Sequence, residues 1–333
     1  MKILQPIRSA QVVDTSGKPT VISTFAGTGG SSLGYHWAGF KELLAIDFDA
    51  HAVQCFKLNF PDVPVWHRSV IDVTGDEIMD FCNIKPGELD VFDGSPPCQG
   101  FSTAGKREVR DPRNDLFAHY YRLVTELQPK VFVMENVSGM VKGTMKGRFI
   151  EIMNVLKTGN YNVKCKLMNA MYYGVPQARQ RLIFIGVRKD LNKAPVFPTA
   201  SNRIVTTKQA IGKLKREELG FYPPITNAFI KSILSKMKAG ESGSDHHPKQ
   251  SYFNCKRLYW TRPSQTLTKT FSGFIHPIEE RHISINEAKL LCSFPIEWKL
   301  GADFHDAWAR LGNAVMPKFM QAIAETIKTK ILT

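Results

Sequence analysis

Five short apolar runs, at residues 21–26, 43–46, 90–92, 131–134 and 182–187, constrain the fold more than any other feature of the chain. Most stop at a Gly, Asp, Glu or Pro cluster, and helix-compatible stretches separate several of them. In one such stretch, 114–127, apolar residues recur near helical spacing at Leu116, Phe117, Tyr120, Val124 and Leu127. A strand that alternates apolar and polar residues has one wet face, whereas a strand apolar throughout has none. Runs of the second kind, interleaved with helices, predict an α/β fold with a mostly parallel sheet and helices on both faces. Ligands bind outside the carboxyl ends of such strands, so the residues after each run are the ones to read for chemistry.

Beyond Val187 the pattern changes. Residues 188–260 hold Pro195, Pro198, Pro223, Pro224 and Pro248, a Gly-Glu-Ser-Gly-Ser stretch and little regular alternation. Between Arg188 and Ile275 lie 16 basic and 5 acidic residues, so this segment supplies +11 of the chain's net +14. A concentrated excess of that size suits a polyanion such as nucleic acid, although a basic solubilising surface would show the same count. A helical pattern returns from Ser284 (Ile285, Ala288, Leu291, Cys292), and residues 314–332 also read as helix. The expected division is a first domain over 1–187, a smaller basic, loop-rich domain over 188–275, and a segment, 276–333, that returns to the first. Hydrophobic residues make up 43% of the 333, enough for a sizeable core. No apolar run reaches the ~18 residues of a membrane span, and the first residues lack a secretory signal's apolar stretch. Six cysteines lie far apart with no C-x-x-C, which argues against zinc and disulfide frameworks and for a reduced, intracellular setting.

The first run leads into Phe25-Ala-Gly-Thr-Gly-Gly-Ser-Ser-Leu-Gly34. Glycines there permit a tight turn with a ligand pressed against N–H groups at a helix start. A dinucleotide fingerprint would want a third small residue at position 32; Ser32 stands there, with Gly30 and Gly34 off that register. Asp47, 20 residues past Gly27 at the end of the next run, can accept hydrogen bonds from both ribose hydroxyls of an adenosine. Phe48 follows it, either as a face for adenine or as ordinary core.

The kind of cofactor turns on Ser95-Pro-Pro-Cys-Gln-Gly-Phe-Ser102. Two prolines fix φ directly ahead of Cys98 and hold a thiol rigidly at a strand end. Hydride transfer needs no such thiol, whereas a thiolate adding to an electron-poor ring turns that ring into an enamine-like nucleophile. The adduct needs a proton donor or charge stabiliser at a ring nitrogen. Glu135, in Met134-Glu-Asn-Val at another strand end, is placed for this, with a capping or salt-bridged acid as the plainer alternative. In Gln177-Ala-Arg-Gln-Arg181, Arg179 and Arg181 share a face of the strand they open. They are either surface charges or groups that orient the acid and bind a substrate carbonyl.

Taken in order, Phe25-x-Gly-x-Gly-Gly, Ser95-Pro-Pro-Cys-Gln-Gly-Phe-Ser, Glu135-Asn-Val, Gln177-x-Arg-x-Arg and Leu311-Gly-Asn-Ala-Val-Met-Pro resemble the motif set of DNA (cytosine-5)-methyltransferases. Residues 281–295 are similar to that family's arginine-led helix motif, and the likeness covers 21–187 and 258–320. It implies a Rossmann-like S-adenosylmethionine-dependent methyltransferase fold, with 188–275 as the target-recognition domain. It implies S-adenosylmethionine as methyl donor and no metal, with Phe25, Gly27 and Gly29 at the methionine end, Asp47 at the ribose and Phe48 at the adenine. Pro97, Asn313 and Val315 would complete that pocket. In one departure, Ser69 stands where the family usually has an acid near the adenine amino group, and Asp72 follows three residues on.

The resemblance further implies that Cys98 attacks carbon 6 of cytosine while Glu135 binds ring nitrogen 3 and the exocyclic amine. Arg181 would bind the ring carbonyl, Arg179 would hold Glu135, and carbon 5 would take the methyl group. A cytosine stacked in duplex cannot reach such a thiol and must be flipped out. Gln99, Ser102, Lys106, Arg107 and Arg113 are the expected DNA contacts of a closing loop. The expected setting is a monomer acting on double-stranded DNA, with no membrane, in the cytoplasm of a prokaryotic or phage-infected cell. A cognate restriction endonuclease acting on the same site is left open. Transfer-RNA cytosine methylation shares the catalytic set; the basic module favours DNA over it. An inactive DNA-binding relative would be expected to show damage at Cys98, Glu135 or Arg181, and a nicotinamide oxidoreductase leaves Cys98 without a role. If the small-residue stretch after Cys98 closes over a bound base, cognate DNA should protect it from limited proteolysis. Equal cutting with and without DNA would count against closure.

Overall fold

A computed structural model describes residues 17–97, 116–141, 146–301 and 303–333. Seven strands form one sheet: β1 (Thr20–Thr24), β2 (Lys41–Asp47), β3 (Val65–His67), β4 (Val91–Gly94), β5 (Val131–Val137), β6 (Tyr161–Asn169) and β7 (Gln180–Arg188), in the order β3-β2-β1-β4-β5-β7-β6. The ladders joining β3, β2, β1, β4 and β5 are parallel, and β7 lies antiparallel to β5. All five apolar runs are strands of this mostly parallel sheet. Two further strands, β3 and β6, lie outside those runs.

The central strands are dry on both faces. Val21 and Ile22 of β1, Val91 and Phe92 of β4, and Val131 to Met134 of β5 are fully buried. Burying each such side chain contributes roughly 1.5–3 kcal/mol, which makes the middle of the sheet the most strongly determined part of the fold. Their register has a direct consequence. Thr24 pairs with Ile46 on one side and Gly94 on the other, and Gly94 pairs with Met134. The next residues of the four chain segments, Phe25, Asp47, Ser95 and Glu135, therefore line up at one edge, where β1 and β4 end. The strand order reverses between β1 and β4, the place where open α/β sheets leave a crevice.

Helices α1 (Gly30–Trp37), α2 (Ala50–Asn59), α3 (Gly75–Cys82), α4 (Leu116–Leu127) and α5 (Lys146–Thr158) follow the strands in turn. The helix α4 buries Leu116, Phe117, Tyr120, Leu123, Val124 and Leu127 against the core shared with Ile22, Phe92 and Phe132. Arg122, on its outer side, donates to the Val70 and Val73 carbonyls at 3.1 and 2.7 Å and pairs with Glu126 at 2.9 Å. The start of α3 carries a capping box, Thr74 with Glu77, that satisfies orphan N–H groups at both positions.

The chain divides into two units, one comprising Met1–Met168, Arg181–Pro198 and Gln321–Thr333, the other Asn169–Gln180 and Thr199–Met320. The second is built from short pieces: α6 (Thr207–Ile211), α7 (Ala228–Ile233), a two-stranded sheet of β8 (Lys256–Arg257) and β9 (Phe274–Ile275), α8 (Ile285–Leu291) and α9 (Phe304–Asn313). The last helix, α10 (Pro317–Lys330), runs on into the first unit. Ser284 caps α8 in a capping box with Glu287, at the position where helical periodicity resumes in the sequence. One consequence of the tight sheet can be measured. A Cβ on Gly186 of β7 would run into the Phe132 ring, so Gly186→Ala should destabilise the protein by roughly 1–3 kcal/mol. Thermal unfolding should show a midpoint several degrees lower.

Candidate active site

The edge at the carboxyl ends of the parallel strands begins with a left-handed loop. Phe25, Gly27 and Gly29 have φ of 54°, 57° and 85°. Glycine takes such values freely, but a phenylalanine held there costs about 1–3 kcal/mol. Neighbouring bonds over-determine it: Ala26 N–H donates to the Ile46 carbonyl at 3.2 Å, and Gly27 N–H to Asp47 Oδ2 at 2.8 Å. At Gly29 there is no room for a side chain, since a Cβ would lie 2.7 Å from the Phe60 ring. Gly29 is also the N-cap of α1 and makes no side-chain capping bond. Backbone N–H groups of a helix's first turn are the natural partners of an anion.

Asp47 is buried, and its second oxygen accepts from Asp49 N–H at 2.9 Å. It is thus both a strand-end acid and a clamp on the glycine loop. Phe48 beside it is 66% exposed, which excludes core packing and leaves its ring free to cover a flat ligand. The Phe48 backbone is held by His67 Nε2, 2.9 Å from its carbonyl oxygen. At the neighbouring turn, Ser69 Oγ accepts from Ile71 N–H at 3.3 Å, and Asp72 is exposed.

The end of β4 shows why Asp93-Gly94-Ser95-Pro96-Pro97 is built as it is. A Cβ on Gly94 would meet Thr24 Oγ1 at 2.5 Å and the Tyr120 ring at 2.6 Å. Asp93 is buried and accepts from Tyr35 Oη at 3.2 Å. Burial pushes its carboxyl up to about 8, against the opposing effect of hydrogen bonds from Ser31 and Tyr35. Asn136 Nδ2 donates to the Pro96 carbonyl at 3.0 Å and so ties the end of β5 to the turn that leads to Cys98. Pro97 is half-buried. Cys98, Gln99, Ser102, Lys106, Arg107 and Arg113 lie outside the described residues.

Glu135 and Arg181 form the one strong ion pair of this edge among the described residues, with Arg181 Nε 2.6 Å from Glu135 Oε1 and both side chains mostly buried. The sheet dictates the pairing. In the antiparallel ladder Glu135 faces Ile183 and Val137 faces Arg181, so Glu135 and Arg181 are diagonal neighbours on one face. A carboxylate fixed in this way presents its remaining lone pairs in a set direction, beside guanidinium donors of planar geometry.

The other half of the Gln177-x-Arg-x-Arg motif lies in the second unit. Arg179 is 2% exposed and donates to the Leu267 and Gly312 carbonyls at 3.1 and 2.7 Å. Gln177, fully buried, accepts from Leu267 N–H at 3.3 Å and donates to the Leu291 carbonyl at 3.4 Å. These two side chains hold the segment after Ser264, α8 and the end of α9 together. Gly312 itself lies against backbone, with a Cβ 2.5 Å from the Thr268 carbonyl oxygen. Asn313, next to it, is exposed, and Val315 is half-buried. Arg281 forms paired hydrogen bonds with Glu287 at 2.8 Å each, which anchors α8. Among the described residues no cluster of side chains could hold a metal ion, and no helix is long and apolar enough to cross a membrane.

Asn136, Asp93 and Gln177 stand inside or next to the motifs read from the sequence, yet spacing alone assigns them no task. Each works through a partner far away in the chain.

Residues 19–329 match the family model of C-5 cytosine-specific DNA methylases, and the chain belongs to that family. Among curated relatives, the Type II methyltransferase M.XorII of Xanthomonas oryzae pv. oryzae is 42% identical over 93% of this chain and 84% of its own length. The Type II methyltransferase M1.HphI of Haemophilus parahaemolyticus is 34% identical over 92% and 86%. Among solved structures, a prophage-encoded E. coli chain described as a candidate DNA modification methyltransferase superposes with a TM-score of 0.81. It is 26% identical and covers 95% of this chain and all of its own. A Spodoptera frugiperda DNMT2 variant shares the fold with a TM-score of 0.68 at 19% identity, over 93% of this chain and 99% of its own.

The raised Asp93 carboxyl makes stability pH-dependent with a definite sign. Between the ordinary aspartate value near 4 and about 8, the folded protein keeps a proton that the unfolded chain releases. This contribution is complete below that window and is lost as pH rises through it. Asp93→Asn keeps the acceptor for Tyr35 and removes the titration. Its thermal midpoint should gain on the wild type progressively from pH 5 to pH 8.5, measured by parallel unfolding scans.

Proposed function

We propose that the protein is an S-adenosylmethionine-dependent DNA (cytosine-5)-methyltransferase that modifies a cytosine within a short specific duplex sequence. The reading rests above all on the buried Glu135–Arg181 pair, which stands on the same sheet edge as the Asp47-clamped glycine loop. Residues of that edge suit the methyl donor. The uncapped first turn of α1 offers N–H groups for a carboxylate, Asp47 is an acceptor for ribose hydroxyls, and the exposed Phe48 ring is a face for adenine. Phe25, Gly27, Gly29 and Pro97 would lie around it, and the family resemblance assigns Asn313 and Val315 to the same cofactor. Bound there, S-adenosylmethionine supplies an electrophilic methyl group for carbon 5 of the cytosine.

The remaining chemistry belongs to the chain. Cys98, as thiolate, adds to carbon 6, and the ring's electrons shift to carbon 5 and nitrogen 3. Glu135 holds a proton at nitrogen 3 and accepts from the exocyclic amine, while Arg181 keeps Glu135 in place and turns a donor to the ring carbonyl. Arg179, expected from the family resemblance to hold Glu135, donates to the Leu267 and Gly312 carbonyls. Loss of the carbon 5 proton then expels Cys98 and restores the aromatic ring. The other cysteines support the choice of nucleophile: Cys55 is buried, and burial pushes Cys82, Cys255 and Cys292 up to about 11 and Cys165 to about 12. Thiols that reluctant to ionise make poor nucleophiles near neutral pH.

In this reading residues 1–187 form the catalytic and cofactor-binding domain, 188–275 the target-recognition domain, and 276–333 a return segment. Gln99, Ser102, Lys106, Arg107 and Arg113 grip DNA beside the flipped base. Relatives named Type II methyltransferases support a role beside a restriction endonuclease of the same specificity.

The test is base-conversion sequencing of plasmid DNA from cells without other cytosine methylation. Methylation should appear at one short sequence with the wild type. Cys98→Ser should lower it by about three orders of magnitude or more, and Arg181→Ala by roughly 10²–10³. No methylation by soluble wild-type protein, with transfer of labelled methyl groups to transfer RNA instead, would overturn the DNA reading.

A further inference from the structure

The second unit carries a small core of its own: Ile230, Ile233, Leu234, Met237, Cys255 and Ile275, with Phe229 packed against it. Above it runs the turn from His247 to Lys256. Two non-glycine residues of this turn are left-handed, Gln250 with φ 50° and Tyr252 with φ 65°. Such backbone persists only where its surroundings over-determine it, and it gathers at functional sites. The surroundings here do so. The Tyr252 ring stacks on Phe229 with centroids 5.1 Å apart and meets His247 edge-on at 5.4 Å. Cys255 N–H donates to the Tyr252 carbonyl at 3.0 Å, Gly243 N–H to the Cys255 carbonyl at 2.8 Å, and Ser272 Oγ to the Asn254 carbonyl at 2.9 Å.

With Tyr252 pinned to Phe229, the next residue faces out. Phe253 is 63% exposed, and Gln250, Ser251 and Asn254 beside it are exposed as well. An apolar ring at the tip of a rigid turn gains nothing from water. Lys249 stands in the same turn, and Lys231, Lys236 and Lys238 lie on and after α7; all four are exposed. The acids of this region are occupied locally. Glu241 accepts from Lys238 N–H at 2.7 Å and bonds His246 at 2.9 Å, and Asp245 accepts from Ser242 N–H at 2.7 Å. Arg257 is an internal strut, donating to the Leu234 and Met237 carbonyls at 3.0 and 2.6 Å, so the cation count there overstates the surface charge by one. An exposed apolar ring in a turn that also carries an exposed lysine, within a basic segment, complements one kind of surface well: apolar base edges and stacks lying between two rows of phosphates.

We propose that the 247–256 turn is a base-contacting element of target recognition, in which Phe253 enters a groove of the duplex and Lys249 binds a flanking phosphate. This inference rests on the DNA methyltransferase reading and goes further by naming a specificity determinant.

The experiment uses the full-length protein. Base-conversion sequencing with the wild type first defines the target site. Then kcat/KM is measured on a short duplex carrying that site and on duplexes with each base pair of it replaced singly. Phe253→Ala should lower kcat/KM on the cognate duplex at least tenfold and narrow the gap to at least one substituted duplex. Its unfolding midpoint and its S-adenosylmethionine affinity should match the wild type. Lys249→Ala should instead weaken binding to all sequences alike and reduce the slope of log Kd against log salt by about 0.9. Phe81→Ala, at an exposed ring of the first unit, serves as the unaffected control. A Phe253→Ala enzyme with wild-type rate and discrimination would overturn this inference alone, and the exposed ring would then belong to a protein contact. A wild type that methylates no DNA would overturn the methyltransferase reading and this inference with it.

Discussion

The parallel ladder through β2, β1, β4 and β5 is the constraint on which the rest of the protein depends. Because Ile46, Thr24, Gly94 and Met134 lie in one line across it, the following residues of all four strands fall in line at the same edge. Each carries a different part of the site: the glycine loop after Phe25, the acid Asp47, the Ser95 turn and the acid Glu135. Side chains alternate faces along a strand, so a one-residue slip in any ladder would turn an acid to the opposite face. Burial on both sides is what prevents slipping, because any shift would expose apolar side chains worth several kcal/mol in total.

Three carboxyl groups lie at or near this edge, and the structure treats them in three ways. Asp47 accepts backbone N–H groups from Gly27 and Asp49, one on each oxygen. Glu135 is matched to the Arg181 guanidinium. Asp93 is kept neutral, its carboxyl raised first by burial and further by the charges of Glu42 and Glu135. Of these, the buried Asp93 is the one whose surroundings favour the neutral form.

Much of this was legible in the sequence. The five strands could be read because continuous apolar runs need both faces covered, and Asp47, Glu135 and Arg181 stood out as charged residues at the ends of such runs. Two strands did not stand out. The strand β3 has only three residues, and β6 is mostly exposed or half-buried between its ends, with Lys164 and Lys166 along it. The antiparallel direction of β7 was equally hidden, since a strand buried on both faces has the same composition whichever way it runs. Asn136, Gln177 and Asp93 escaped for a different reason. Their partners are backbone carbonyls and a hydroxyl between 40 and 114 residues away, and sequence spacing does not encode such contacts. The basic segment suited a polyanion or a solubilising surface alike, and its count of cations could not separate the buried strut Arg257 from the exposed Lys249.

The central claim, a thiol that adds to cytosine under the control of Glu135 and Arg181, is tested most directly by trapping the adduct. A duplex with 5-fluorocytosine at the target position offers no proton to lose from carbon 5, so the thiol cannot be expelled. With S-adenosylmethionine present, the wild type should form a denaturation-stable complex whose protein–DNA bond maps to Cys98 by peptide mass analysis. Glu135→Gln should form it at least tenfold more slowly, in keeping with the loss of a proton-holding group. An enzyme that methylates the unmodified duplex yet gives no adduct, or gives one on a different residue, would contradict the account.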